Sequence, residues 1–278
     1  MIGREQDVAL AVRKRHVAQA GRCSVALADA ITPYLHGTTA TGPLQHHESR
    51  MSTLPTHETI RRIALINPNT STATTARMAE IARAAAVPGI EIVGLTAPYG
   101  APLITNPDEF STAGDAVLSM PDAAFEGISG VIVAAFGDPG ADALGERLRV
   151  PVIGIAEASM RAAADVGRFS VVTTISLLAD RMRQRAAHLG LGSHLMSVRT
   201  TEGDPALLMA DETALQAALA ALIDIAVAED GAEAIVIGGG PLAVAAQALA
   251  AYSPVPLIEP VPIATRAVIA RLAQPHRT

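Results

Sequence analysis

From residue 63 onward, short apolar runs rich in β-branched residues alternate with longer Ala/Leu/Arg-rich segments at helical spacing. The pattern predicts strands at 63–66, 91–95, 130–135, 152–155, 168–173, 194–198, 234–237 and 256–258. Between them it predicts helices that include 72–86, 141–148, 177–188, 211–229 and 242–251. Runs that are apolar on both faces, joined through helical crossovers, imply parallel sheets covered on both sides.

The pattern also repeats. VIVAAFGDPG at 131–140 and AIVIGGGPL at 234–242 each end an apolar run abruptly in Gly and Pro. RIALINPNT at 62–70 is echoed by RFSVVTTIS at 168–176, and PVIGIAEASMR at 151–161 by PLIEPVPIATR at 256–266. Three elements in the same order at nearly the same spacing indicate a duplicated βα unit. The expected architecture is α/β, with two similar Rossmann-like lobes related by a pseudo-twofold axis. Lobe one spans 61–160, with a C-terminal helix at 262–273 returning to it, and lobe two spans 165–260. Ligands of open α/β sheets sit at the carboxyl ends of strands, so a cleft between the lobes is the expected site.

Residues 1–60 differ from the rest. The stretch from 36 to 57 is rich in His, Thr, Gly, Pro and Ser without sustained periodicity, and is read as a flexible extension. It has no clean apolar core followed by a small-residue cleavage site, so a secretory signal is not expected. The uncharged stretch 234–258 is long enough to suggest a membrane span. Gly238, Gly239, Gly240, Pro241, Pro254 and Pro256 interrupt it, so it reads as strand, turn, helix and strand.

Composition then narrows the chemistry. The chain has 278 residues, half of them hydrophobic, 3% aromatic, and a net charge of −6. Neither a basic footprint nor stacking platforms for nucleic acid are present. Cys23 is the single cysteine and Lys14 the single lysine, both ahead of the repeated region. That excludes a disulfide framework, a thiolate metal site, a lysine Schiff base and a thiol base in the core. The expectation is a cytoplasmic protein, and a mean hydropathy of +0.32 without a membrane segment points to a homo-oligomer.

Candidate site residues lie at the strand ends. Asn67, Asn69, Thr70 and Ser71 follow the first strand. Thr70 or Ser71 would cap the next helix, and the N–H groups after it could hold a carboxylate or a polarised carbonyl. Thr173 and Thr174 occupy the matching end in lobe two. Phe136 and Pro241 would form apolar walls. Gly137, Gly239 and Gly240 would let the backbone approach a ligand closely. The glycine run lacks the third glycine of a dinucleotide-binding fingerprint, so no nucleotide is expected.

INPNTS, AFGDPG, PVIGIAEA, the VVTT strand and GGGPL, in this order and spacing, resemble the Asp/Glu/hydantoin racemase superfamily on its hydantoin/allantoin side. The resemblance implies cofactor-independent racemisation of a small hydantoin, allantoin or amino-acid-like substrate, with no metal. It also implies two cysteines, one per lobe, that remove and return the Cα proton on opposite faces. Their counterparts here are Ala135 and Gly239, neither of which carries a proton. Asp138, Glu157 and Glu259 are the candidate replacements. Asp138 would otherwise cap a helix beginning near Pro139, and Glu157 and Glu259 are read as matched positions past the third strand of each half. Tyr99, His188 and His194 are weaker candidates. A binding protein without catalysis, and a decarboxylase sharing the enolate-like intermediate, remain open.

Overall fold

The computed structural model describes residues 60–251 and 253–274. The expected extension, with Lys14 and Cys23, lies outside them apart from Ile60.

Lobe one is built from β1 (Arg61–Asn67), α1 (Thr72–Ala85), β2 (Ile90–Thr96), α2 (Pro107–Leu118), β3 (Ile128–Val133), α3 (Ala141–Arg147) and β4 (Val152–Gly154). Then come α4 (Ile155–Val166), β5 (Phe169–Thr173), α5 (Ala179–His188), β6 (Leu195–Thr200), α6 (Pro205–Ala210) and α7 (Glu212–Ala228). The chain closes with β7 (Ala234–Ile237), α8 (Ala243–Ala250), β8 (Leu257–Ile258) and α9 (Pro260–Ala273). The two sheets have orders β2-β1-β3-β4 and β6-β5-β7-β8, with every pairing parallel. Identical order in both halves is what the internal repeat predicted. The uncharged stretch near the end resolves as expected into β7, a turn, α8 and β8, and no helix among the described residues is long and apolar enough to cross a membrane.

Local chemistry sets the element ends. Ser71 caps α1 by accepting from Thr74 N at 3.2 Å. Asn106 caps α2, accepting from Asp108 N and Glu109 N, with Pro107 pre-set at the first helical position. The apolar pattern did not mark α2, α4 or α6; α2 and α6 open on a proline in the first helical turn.

The helices after β4 and β8 are exchanged. α4 packs on β5, β7, β8 and α5 of lobe two, whereas α9 packs on α1, β3 and β4 of lobe one as well as on α4. The expected break at 160–165 therefore lies inside α4. Gly130 on β3 permits the close seat of α9, since a Cβ there would stand 2.5 Å from Val268 Cγ1. One continuous core results, running from Ile63, Leu65 and Met78 through Ile155 and Met160 to Phe169, Val171 and Met182. Burial of so many aliphatic side chains across the lobe junction is the main force holding the halves together.

Candidate functional site

The carboxyl ends of β1, β3, β5 and β7 converge on one cavity of about 50 Å3. Lobe one supplies Asn69 after β1 and Ala134, Ala135 and Phe136 after β3; lobe two supplies Thr174 and Ile175 after β5 and Gly238–Leu242 after β7. Leu103, Ile104 and Phe110 close it from the segment between β2 and α2, and Leu178, Met182 and Met209 close it from lobe two.

Of the residues expected from sequence, Asn69, Ala135, Phe136, Thr174, Gly239, Gly240 and Pro241 line this cavity. Asn67, Thr70, Ser71, Gly137 and Thr173 do not. Asn67 is fully buried and braces the turn: its Nδ2 donates to Asn69 Oδ1, the Ser71 carbonyl and Thr75 Oγ1 at 2.7, 3.0 and 3.1 Å. The N–H groups of Asn69, Thr70 and Ser71 all donate within the protein, so the anion cradle expected after β1 is already engaged. Thr173 Oγ1 donates to the Gly238 carbonyl at 2.6 Å, fixing the glycine turn from below. Gly137 lies behind the wall with the Phe110 ring against it.

What remains free is rich in donors. Asn69 Oδ1 accepts from Asn67 Nδ2 and Ser71 N, which leaves Asn69 Nδ2 for the cavity. Among the described residues the N–H groups of Ala135, Phe136, Thr174 and Gly240 make no hydrogen bond within the protein. Gly239 N–H, expected to face a ligand, instead donates to the Ile237 carbonyl at 3.0 Å. Among the described residues no Asp, Glu, His, Lys, Arg, Cys or Tyr side chain lines the cavity.

The three candidate carboxylates are elsewhere. Asp138 does not cap the helix after Pro139; α3 starts from Gly140 with no side-chain cap. Its side chain is fully buried behind the cavity and caps α4, accepting from Ala156 N at 2.7 Å and Glu157 N at 2.8 Å while pairing with Arg185 Nε at 2.9 Å. Burial pushes this carboxyl up to about 6, against the pull of Arg185 and of the two amides. Glu157 pairs with Arg161 and Arg185 on the helix flank. Glu259 is not its counterpart: it stands at the N-cap of α9, the place Gly154 takes in α4. Burial raises the Glu259 carboxyl above its usual range, and Gln247 and Arg266 oppose the shift. Tyr99 and His194 lie off the wall, and His188 sits 3.6 Å from Asp142 on the exposed flank.

The residues that sequence reasoning missed are the apolar ones. Leu103 and Ile104 come from a loop where a pair of adjacent apolar residues was the only signal, and Met209 from the short helix α6, whose apolar run PALLMA has no polar face to set a period. Phe110 carried no signal in the sequence; in the fold its ring packs where a Cβ on Gly137 would stand, 2.8 Å away.

The family profile described as Asp/Glu/Hydantoin racemase matches residues 63–268, which is most of the chain. The chain belongs to that family. It is 30% identical over 220 residues to a hydantoin racemase from Paenarthrobacter aurescens, covering 78% of this chain and 93% of that protein. An allantoin racemase structure from Klebsiella pneumoniae superposes with a TM-score of 0.71 at 36% identity, covering 78% of this chain and 95% of that one. The allantoin racemase of Pseudomonas fluorescens gives 0.70 at 31%, covering 78% and 98%. Within this racemase-family fold, Ala135 and Gly239 line the same cavity from opposite lobes.

Proposed function

We propose that the protein acts as a cofactor-independent racemase on a neutral, hydantoin-like ring that bears an apolar substituent at its acidic Cα–H. The observation that carries this reading is the lining: free N–H donors and the Asn69 amide on both strand-end arcs, set in walls of Leu, Ile, Phe and Met without a charged side chain. Donors directed at a carbonyl stabilise the enolate formed when its neighbouring C–H ionises. A cavity without Arg or Lys favours a neutral imide over the dicarboxylates aspartate and glutamate, which would be desolvated there unpaired. The relatives named for hydantoin and allantoin are consistent with such a ring.

The proton-transfer step is where this chain departs from its family. With Ala135 and Gly239 at the two base positions, exchange at the bound carbon depends on water that reaches it, so turnover is expected to be slow. The test is solvent deuterium incorporation at C5 of enantiopure 5-benzylhydantoin, 5-isobutylhydantoin and allantoin. Protein-dependent incorporation with loss of optical rotation supports the reading, and its absence with all three overturns it.

A second reading, that the protein binds such a ring without isomerising it, is favoured by one observation: among the described residues no acidic or basic side chain lines the cavity. Tight binding without deuterium incorporation would select it. Self-association is a further part of the proposal. Leu177 and Leu207 are 65% and 74% exposed, apolar surface that a second copy would cover. Light scattering tests it; a clean monomer contradicts it.

A further inference from the structure

Behind the cavity lies a charged cluster that the proposed reaction does not use. Asp138 is the non-glycine residue in the left-handed region among those described, with φ +59°. That conformation is unfavourable for an L-residue and persists only where its surroundings over-determine it. Here they do. The carboxylate accepts from Ala156 N, Glu157 N and Arg185 Nε. A Cβ on Gly154 would overlap it, so a glycine is required beneath it. Arg185 comes from α5 in lobe two, with its side chain 7% exposed, and its other nitrogens reach Asp142 at 2.7 Å and Glu157 at 3.4 Å. Among the described residues, the ion pairs that cross between lobes are those of Arg185 with Asp138 and Asp142 and the longer one from His188 to Asp142.

One carboxylate thus ties together the loop after β3, the start of α4 and the second lobe. The loop it ends carries the free amides of Ala135 and Phe136, three and two residues earlier in the chain.

We propose that Asp138 and Arg185 are positioning residues: their contact holds the Ala135 and Phe136 amides at the cavity and keeps lobe two closed over it, so ligand affinity depends on that contact. This rests on the reading of the cavity as the ligand site. Three donors on one carboxylate require both oxygens as acceptors; protonation turns one of them into a donor facing an N–H or a guanidinium. The groups facing Asp138 are Arg185 from α5 and, sharing that guanidinium, Asp142 from α3 and Glu157 from α4, with His188 beyond Asp142. Because burial brings Asp138 up to about 6, affinity is expected to fall as the pH drops below that value.

The test uses the full chain with racemic 5-benzylhydantoin, titrated calorimetrically between pH 5 and 8, and hydrogen exchange across the loop after β3 without ligand. Asp138→Asn removes the acceptor. Arg185→Lys keeps the charge but not the planar fork that serves three carboxylates, and it preserves the cap should Asp138→Asn fail to fold. Each variant should bind roughly tenfold more weakly at pH 7.5. Asp138→Asn should also lose the fall in affinity below pH 6, and exchange should accelerate at the hydrogen-bonded loop amides of residues 138 and 141 but not in β1 or β5. Variants that match the wild type in affinity and pH profile overturn the proposal. Wild-type protein that fails to bind overturns the ligand-site reading instead, and unchanged loop exchange in the variants then overturns the positioning contact separately.

Discussion

Gly240 and Ala134 bring the two halves of the molecule into contact: a Cβ on Gly240 would stand 3.0 Å from the Ala134 carbonyl oxygen and would overlap Met78 Sδ. The strand ends of β3 and β7 meet at this point because residue 240 has no side chain. Gly239, its neighbour, is different. Its φ of 164° is ordinary extended backbone, and a Cβ there would meet Leu242 at 3.3 Å, a flexible side chain. Gly240→Ala is therefore expected to destabilise by about 1–3 kcal/mol through overpacking against a backbone oxygen, and Gly239→Ala by less than about 1. Thermal or urea unfolding of the two variants checks the contrast.

That tolerance at 239 allows the bases to be restored. Ala135→Cys together with Gly239→Cys is expected to raise racemisation of a 5-substituted hydantoin by about 100-fold or more, the usual contribution of positioned acid–base groups. Each single variant should speed deuterium exchange with little inversion, because it supplies a base on only one face. Chiral chromatography in heavy water separates the two effects. A folded but inert double variant would mean that the pocket, and not only its bases, differs from the family's.

Asn69 and Asn67 are expected to respond in different ways. Asn69→Asp keeps both hydrogen bonds accepted by Oδ1 but replaces the free amide donor with an unpaired anionic oxygen, so hydantoin affinity should fall roughly tenfold, with a stability loss that shrinks as the pH drops and the new carboxyl is protonated. Asn67→Ala removes the bonds its amide donates to Asn69, Ser71 and Thr75 and leaves the buried Asn69 N–H without its acceptor, and should reduce stability by about 1–3 kcal/mol. Calorimetric titration and urea melts of both proteins decide the pair.

The pH dependence of stability follows from Asp138. Its carboxyl lies near 3.8 when solvated and is raised to about 6 in the fold, so between those values the native state holds the proton more tightly than the unfolded chain. Its contribution is fully present below about 3.8 and is lost as the pH rises through 6. Relative to Asp138→Asn, wild-type stability should therefore fall by about 3 kcal/mol between pH 4 and 7. Parallel urea melts across that range measure it, and a constant difference would contradict the raised value.

Much of this was legible in the chain. The alternation of apolar runs and the echo between 131–140 and 234–242 led to both sheets and to the meeting of Ala135 with Gly239, because strand ends impose chemistry that survives as Gly, Pro, Asn and Thr. The carboxylates were harder to place. Asp138 sits beside a proline in a turn and reads as a local cap, yet its partner is α4, 18 residues ahead, and only the packing of β4 against β3 brings them together. Glu157 and Glu259 looked paired because both follow a strand, whereas the register of the two helix starts separates them. The apolar lid residues carried no periodic signal, since loops obey no fixed repeat.

The exchange of α4 and α9 bears on how the molecule is made. α9, which covers β3 and β4 of the first sheet, comes from Pro260–Ala273, after every strand of the second sheet. While the chain is still being synthesised, the first half has every strand of its sheet yet one side of it stays uncovered. Completion of the first lobe must therefore wait until the whole second lobe has been synthesised, and the two halves mature together rather than in turn.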